Sequence, residues 1–283
     1  MGDKEPILIH NLEPSNDYIL LKNIEHKNHY DFTQLHRHNY FEIMFFQQGG
    51  GENLIDFIKY DVKANGCYII YPGQIHLLKR SPGSSGCLIQ FQQTSIISSQ
   101  LQHLLQQRVW SGKGAVLFEE DEALMSKAMT IINAIEIYSN STSAYRKASK
   151  QHLLQALIFD LCSIENKEGA MQSMELEFYQ FQQLIEKHFK EEQTVAFYLE
   201  QLATTEKKLA ALSKKHFGAS PLQVIHRRVL LEAKRLLSFK DRSHKEIAYD
   251  LGFDSPASFS AFIKRKTGLT ASEIQSEMSE IHN

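Results

Sequence analysis

The chain has 283 residues, 42% of them hydrophobic and 10% aromatic, enough for one large or two medium domains. With 23% charged residues, 14 Gly and 6 Pro, the composition excludes global disorder and fibrous repeats. Cys67, Cys87 and Cys162 lie far apart with no C-x-x-C pair, which excludes a zinc ribbon or a disulfide scaffold and fits a reducing cytosol. No run approaches about 18 uninterrupted apolar residues, and the start carries neither a signal-peptide core nor a myristoylation pattern, so a soluble, cytoplasmic protein without membrane association is expected. The formal net charge of −2 hides an asymmetry: residues 1–200 carry −7, residues 201–270 carry +8, and the last thirteen carry −3. A basic segment attached to an acidic body is the electrostatic footprint of a nucleic-acid-binding module, although Lys and Arg on a solvated helical surface would give the same count.

In chain order, short runs of β-formers come first: Tyr18–Leu21, Phe41–Phe46, Leu54–Ile58, Cys67–Tyr71 and Cys87–Phe91. Turn signals separate them, at Gly49-Gly50-Gly51 (expected as a hairpin turn), Asn65-Gly66, Pro72-Gly73 and Pro82-Gly83. Such punctuation predicts a sandwich or small barrel. After about residue 119 the period changes. Leu124, Met125, Ala128, Ile131, Ile132 and Ile135, then Ala148, Leu153, Leu154, Leu157, Ile158 and Leu161, recur at helical spacing. These two helices, over 119–139 and 144–165, pack as core or form a dimer seam, in which case truncating Leu157 and Leu161 should separate dimers. The polar stretch Glu165–Gln172 reads as a linker.

Beyond the linker every segment reads as helix, and the boundaries are marked by caps. Thr194 opens a helix to about Ala203; Thr204-Thr205 opens another that stops at Phe217-Gly218; Ser220-Pro221 starts a long one to about Leu237. Ser243-His-Lys-Glu246 and Thr270-Ala-Ser-Glu273 are capping boxes, and Ser255-Pro256 opens a helix ending at Thr267-Gly268. The pattern predicts two helix-turn-helix units, at about 194–217 and 243–267, spaced some fifty residues apart and joined by the long helix. Their second helices can enter successive major grooves about 34 Å apart, with Lys207, Lys208, Lys214, Lys215, Lys264, Arg265 and Lys266 meeting phosphates.

The runs Leu230–Leu237 (LLEAKRLL), Lys245–Phe253 (KEIAYDLGF) and Phe259–Lys264 (FSAFIK) followed by Thr267-Gly268 resemble the AraC/XylS family of bacterial transcription regulators. In the first unit Leu209, Lys214, Phe217-Gly218 and Ser220-Pro221 agree with it. The family usually has an aromatic where Ile263 stands and a proline where Ala271 stands. The resemblance implies a groove-facing set of Lys207, Ala210, Ala211 and Lys214, with Thr205 at the cap, and of Ser255, Ala257, Ser258, Ser260 and Ala261. So many small side chains point to readout through thymine methyls and DNA shape.

The N-terminal half carries a second pattern. His36-Arg-His38, Glu42 and Gly49, then Gly66, Pro72-Gly73 and His76, are similar to the two cupin motifs, with Arg80 in place of the usual closing asparagine. In one extended strand residues 36, 38, 40 and 42 share a face, and His76 from a second strand would complete a three-His, one-Glu set suited to Fe, Mn, Ni or Zn. The family resemblance instead implies a small-ligand pocket without metal, lined by His36, His38, Tyr40, Glu42 and His76. No cofactor is expected, with a divalent metal as the lesser alternative; Arg37, Tyr68 and Tyr71 are further pocket candidates.

The expected fold class is α+β: a cupin-like β-barrel with trailing helices over 1–165, a linker at 166–172, and an all-helical tandem helix-turn-helix domain over 173–283. The expected function is sequence-specific transcription regulation in response to a small effector, such as a sugar or other metabolite. Its expected partners are double-stranded promoter DNA, a second copy of the chain and, for an activator, RNA polymerase. Two rivals predict no duplex affinity: a metal-dependent cupin enzyme of dioxygenase or isomerase type with a helical tail, and a sugar-binding module.

Overall fold

The computed structural model describes residues 9–10, 19–24, 35–102, 104–105, 115–139, 141, 143–163, 176–239 and 241–282. Two compact units divide the chain, one within Ile7–Met171 and one within Gln172–Asn283. The stretch read as a linker lies outside the described residues.

Among its described residues, the first unit has ten strands in two five-stranded sheets. One contains β1 (Ile9–His10), β3 (His36–His38), β5 (Gly51–Ile55), β6 (Ile58–Asp61) and β8 (Ile75–Arg80), in the order β1-β3-β8-β5-β6. The other contains β2 (Ile19–Ile24), β4 (Phe41–Gln48), β7 (Gly66–Ile70), β9 (Ser85–Phe91) and β10 (Val116–Phe118), in the order β10-β7-β4-β9-β2. Helices α1 (Glu122–Ile137) and α2 (Ala144–Ser163) follow.

All six residues Phe41–Phe46 of β4 are buried, so this strand shows no in-out alternation. Both of its faces are covered. Phe41, Ile43 and Phe45 pack with Met125, Ile132, Leu154 and Ile158 of the two helices, whereas Met44 and Phe46 pack with Ile55, Tyr68, Ile70 and Leu88 inside the barrel. Lys150 of α2, itself buried, donates from Nζ to the Ile19 carbonyl at 2.6 Å and pins the helix to β2.

Several local expectations need correction. Leu54–Ile58 is not one strand, because Asp56 adopts φ 51° and turns the chain between β5 and β6. Gly49-Gly50 does not close a hairpin either; it carries the chain from β4 in one sheet to β5 in the other. Residues 36 to 42 are not one extended strand, since the chain bends at Asn39-Tyr40 and changes sheets between β3 and β4. Leu157 and Leu161 are only 1% and 3% exposed and belong to the core of the first unit, so truncating them would empty that core rather than open a dimer seam. The large apolar side chains these helices leave exposed are Ile137 and Tyr145.

The second unit contains α3 (Leu176–His188), α4 (Val195–Gln201), α5 (Glu206–Phe217), α6 (Pro221–Phe239), α7 (His244–Asp250), α8 (Pro256–Thr267) and α9 (Ala271–His282). The long helix α6 contacts α3, α5, α7 and α9. Its buried face holds Val224, Ile225, Val229, Ala233, Leu236 and Leu237, together with the largely buried Glu232 and Arg235. Those charges are paired: Glu232 lies 3.2 Å from Arg228 and 3.6 Å from Arg235, and Arg228 also reaches Glu186 of α3 at 2.9 Å and lies over the Phe189 ring. Burying such charges is tolerable only because each finds an opposite one.

Candidate nucleic-acid interface and effector site

The two helix-turn-helix units repeat each other at an offset of fifty residues. Thr205 caps α5 by accepting from the Lys208 N–H, and Ser255 caps α8 by accepting from the Ser258 N–H. Each such cap stabilises its helix by about 1 kcal/mol. Both helices end on a left-handed glycine, Gly218 at φ 63° and Gly268 at φ 78°. Inward positions correspond too: Leu209, Leu212 and Ser213 are buried in α5, as Phe259, Phe262 and Ile263 are in α8. Ile263, where an aromatic is usual, is fully buried and fills its place in the core.

Opposite each buried stripe, at helical spacing, stand Lys207, Ala211 and Lys214 on α5 and Ala257, Ala261 and Lys264 on α8, all exposed. Lys215, Arg265, Ser258 and Ser260 are exposed on the flanks, while Ala210 and Ser255 are half-buried. Three candidates also serve the unit itself. Thr205 and Ser255 are caps, and Lys208 pairs with Glu177 of α3, which Thr204 also contacts. Lys208, then Thr204, hold the Glu177 carboxyl below its ordinary range. Lys264 reaches Glu273 at 3.8 Å, an exposed pair of little energetic weight.

Sequence reasoning missed the network that ties the turn of the second unit. Asp250 accepts from Arg242 at 3.1 Å and from Lys190 at 3.5 Å, and Gln193 Nε2 donates to the Leu251 carbonyl at 2.7 Å. It also missed His226 on α6, whose ring meets Phe262 edge-on at 5.3 Å. Burial, then the positive charges of Lys266 and Arg265, push this imidazole down to about 4. The unfolded chain therefore takes up a proton near pH 6.5 that the folded chain refuses until about pH 4. Stability from this residue is complete above pH 6.5 and is lost as the pH falls through that window. Urea midpoints measured at pH 7.5 and pH 4.5 should show the loss, and His226→Gln should reduce it.

In the barrel, the topology assembles the second pattern. β3 pairs with β8 so that His36 stands opposite His76, and β8 pairs with β5 so that His76 stands opposite Ile55 on the inner face. One ligand atom from each of His38, Glu42 and His76 lies within 4.8 Å of the others, and all three residues are buried. The His36 ring packs 4.0 Å from that of His76, and the Tyr40 ring stacks on His38 at 3.9 Å. Gln90 Nε2 donates to Glu42 Oε2 at 2.7 Å and to the Tyr40 hydroxyl at 3.2 Å. Asn53, fully buried on the same inner face, has neither side-chain amide atom hydrogen-bonded. Gln90 and Asn53 were absent from the sequence expectation. The available signal was parity, since each stands two residues from an inward apolar side chain of its strand, Asn53 from Ile55 and Gln90 from Leu88.

The other pocket candidates separate from this group. Tyr71 packs on the helix-covered face, 5.8 Å from the Phe41 ring. The Tyr68 hydroxyl accepts from the Lys63 N–H and donates to Glu119 at 2.7 Å, with the Asp61 carbonyl 3.0 Å away, joining strand ends to the loop before α1.

Comparison with known proteins agrees with both units. The AraC-like ligand binding domain family matches residues 23–157, and the helix-turn-helix domain family matches residues 198–277. The chain is 24% identical over 244 residues to the HTH-type transcriptional activator RhaS of Salmonella schwarzengrund, covering 85% of this chain and 86% of that one. Among solved structures it is similar to ToxT from Vibrio cholerae, with 13% identity, 92% of this chain and 97% of that chain covered, and a TM-score of 0.44. It is also similar to the C-terminal domain of the response regulator yesN from Fusobacterium nucleatum, with 25% identity, 34% and 94% coverage, and a TM-score of 0.32. A ligand-binding barrel carried on the same chain as tandem helix-turn-helix units defines an effector-responsive, DNA-binding transcription regulator. The chain belongs to the AraC/XylS family.

Proposed function

We propose that α5 and α8 are the two recognition helices of a sequence-specific regulator. The fifty-residue repeat of cap, basic outward face and left-handed glycine stop supports this reading most directly. Lys207, Ala211 and Lys214, and correspondingly Ala257, Ala261 and Lys264, face successive major grooves, with Lys207, Lys214, Lys215, Lys264 and Arg265 reaching phosphates. The alanines offer apolar contact to thymine methyls, and DNA shape supplies further discrimination.

In the barrel, His36, His38, Tyr40, Glu42 and His76, joined by Gln90 and Asn53, form the polar wall against which a small effector is held. Effector binding shifts the population of DNA-binding-competent arrangements, and the chain acts without catalysis. The RhaS relatives are activators, and this chain acts as one through RNA polymerase, as a cytoplasmic homodimer joined through α1 and α2, where Ile137 and Tyr145 are exposed. Among the described residues no helix is long and apolar enough to cross a membrane.

The test is fluorescence anisotropy of the full chain on labelled duplex from upstream of its own gene, with nonspecific competitor and a salt series. Binding that survives competitor and weakens steeply with salt is expected. No duplex binding even at low salt would overturn the reading.

A further inference from the structure

We propose that Glu177 holds Lys208 away from DNA, an autoinhibitory contact that keeps one phosphate-binding cation of α5 in reserve. The inference rests on α5 being a recognition helix. Lys208 stands in the first turn of that helix, and its N–H is the one that Thr205 caps. The N-terminal residues of a recognition helix are those that meet base edges, so an exposed lysine there lies within reach of the phosphates that border the groove. Its Nζ is instead paired with Oε2 of Glu177 on α3, while Oε1 of the same carboxylate accepts from the Thr204 hydroxyl.

The two ends of the pair differ. The Glu177 side chain is 18% exposed and is held by Thr204 as well, whereas the Lys208 side chain is 62% exposed. The carboxylate is therefore the anchored partner and the lysine the one that can swing out. With its carboxyl below the ordinary range, Glu177 is ionised throughout the neutral range. A lysine already facing an anion has little charge left to neutralise a phosphate, so it releases fewer DNA counterions on binding. Ion pairs this exposed are weak, so the contact lowers affinity without forbidding binding.

Its position suits control. The fifty-residue offset puts Ser258 at the place of Lys208 and Arg227 at that of Glu177, so the second unit has no counterpart. Glu177 is the second residue of α3, the first described helix after the chain divides between Met171 and Gln172. A shift of α3 against α5 that parts the pair adds one phosphate contact to the first unit and none to the second.

The test is a double-mutant cycle on the full chain, read by anisotropy on the same upstream duplex with competitor and a salt series. Glu177→Gln keeps the shape and can still accept from Thr204, but it releases Lys208. It should tighten binding about 5- to 10-fold near 0.1 M salt and steepen the slope of log affinity against log salt by about 0.9. In the Lys208→Gln background the same change should bring less than about 2-fold and leave the slope alone. Unchanged or weakened binding in Glu177→Gln overturns the proposal. So does an equal gain in both backgrounds, which would come from removing a negative charge near DNA rather than from releasing Lys208. Circular dichroism reports whether each variant folds; if Glu177→Gln does not, Glu177→Ala carries the same expectation. A wild-type chain that binds duplex while the cycle shows no coupling refutes this inference and leaves the regulator reading standing. No duplex binding by any of the chains overturns both.

Discussion

Replacing Lys207 and Lys264 together by glutamate should lower affinity for the specific duplex by about two to three orders of magnitude near 0.1 M salt. The two lysines each stand opposite the buried stripe of their helix, one in each unit, at different places in the repeat: Lys207 corresponds to Ala257 and Lys264 to Lys214. Removing a cation that meets a phosphate lowers the slope of log affinity against log salt by about 0.9, so the double variant should flatten it by about two. Reversal adds repulsion, which makes the loss larger than truncation would. Folding should be unaffected, because both side chains are exposed and the Lys264–Glu273 pair is too solvated to matter. Lys59→Glu, on the exposed edge strand of the barrel, is the matched control and should leave binding unchanged. An unaltered salt slope in the double variant would place the DNA surface elsewhere.

Gly252→Ala should abolish DNA binding and destabilise the helical unit by about 3 kcal/mol or more, whereas Gly268→Ala should cost about 1 kcal/mol and leave binding nearly intact. Both glycines have positive φ, 74° and 78°, so both substitutions incur the left-handed penalty. Their surroundings differ. A Cβ on Gly268 meets nothing within 4 Å, but a Cβ on Gly252 would stand 1.9 Å from the Lys190 carbonyl oxygen. That oxygen belongs to the backbone after α3, and Lys190, Asp250, Gln193 and Leu251 already tie the two segments together. The chain must therefore open at this joint, displacing α7 and α8. Thermal melts of the two variants followed by circular dichroism separate the effects; equal losses would mean that the close approach to Lys190 is not made in solution.

The helical unit was the more legible part of the sequence because its signals are local. A cap needs one hydroxyl and the N–H three residues on, and a stop needs one glycine, so Thr205, Gly218, Ser243, Glu246, Ser255 and Gly268 could be read directly. The apolar stripes of α1 and α2 were equally plain. Whether Leu157 and Leu161 faced a second chain or their own sheet was not, because an apolar stripe is the same in both cases. Their near-complete burial against the barrel's outer face answers that.

The barrel was harder to read, and β4 shows why. A strand covered on both faces loses the alternation that would mark its orientation, so only the sheet pairings reveal that Glu42 points inward beside Gln90 while Phe41 and Ile43 meet helices. The short strand β3 leaves too few residues for a period and was merged with β4; the bend at Asn39-Tyr40 became visible only because the two strands pair in different sheets. Even so, the histidines and the glutamate named from their spacing do converge, since the β3–β8 register brings His36 to His76 across 40 residues.

By itself, then, the sequence determined the helix boundaries, the fifty-residue repeat, the basic charge of residues 201–270 and the residue types of the barrel cluster, all carried by patterns a few residues long. Tertiary structure alone decided which of those residues meet. It set the pairing of Lys208 with Glu177, the joint at Gly252, the burial of Leu157 and Leu161, and the placement of Gln90 and Asn53 among the histidines. Those contacts join residues far apart in the chain, and the energy that selects them comes from burying whole faces together, which no local pattern records.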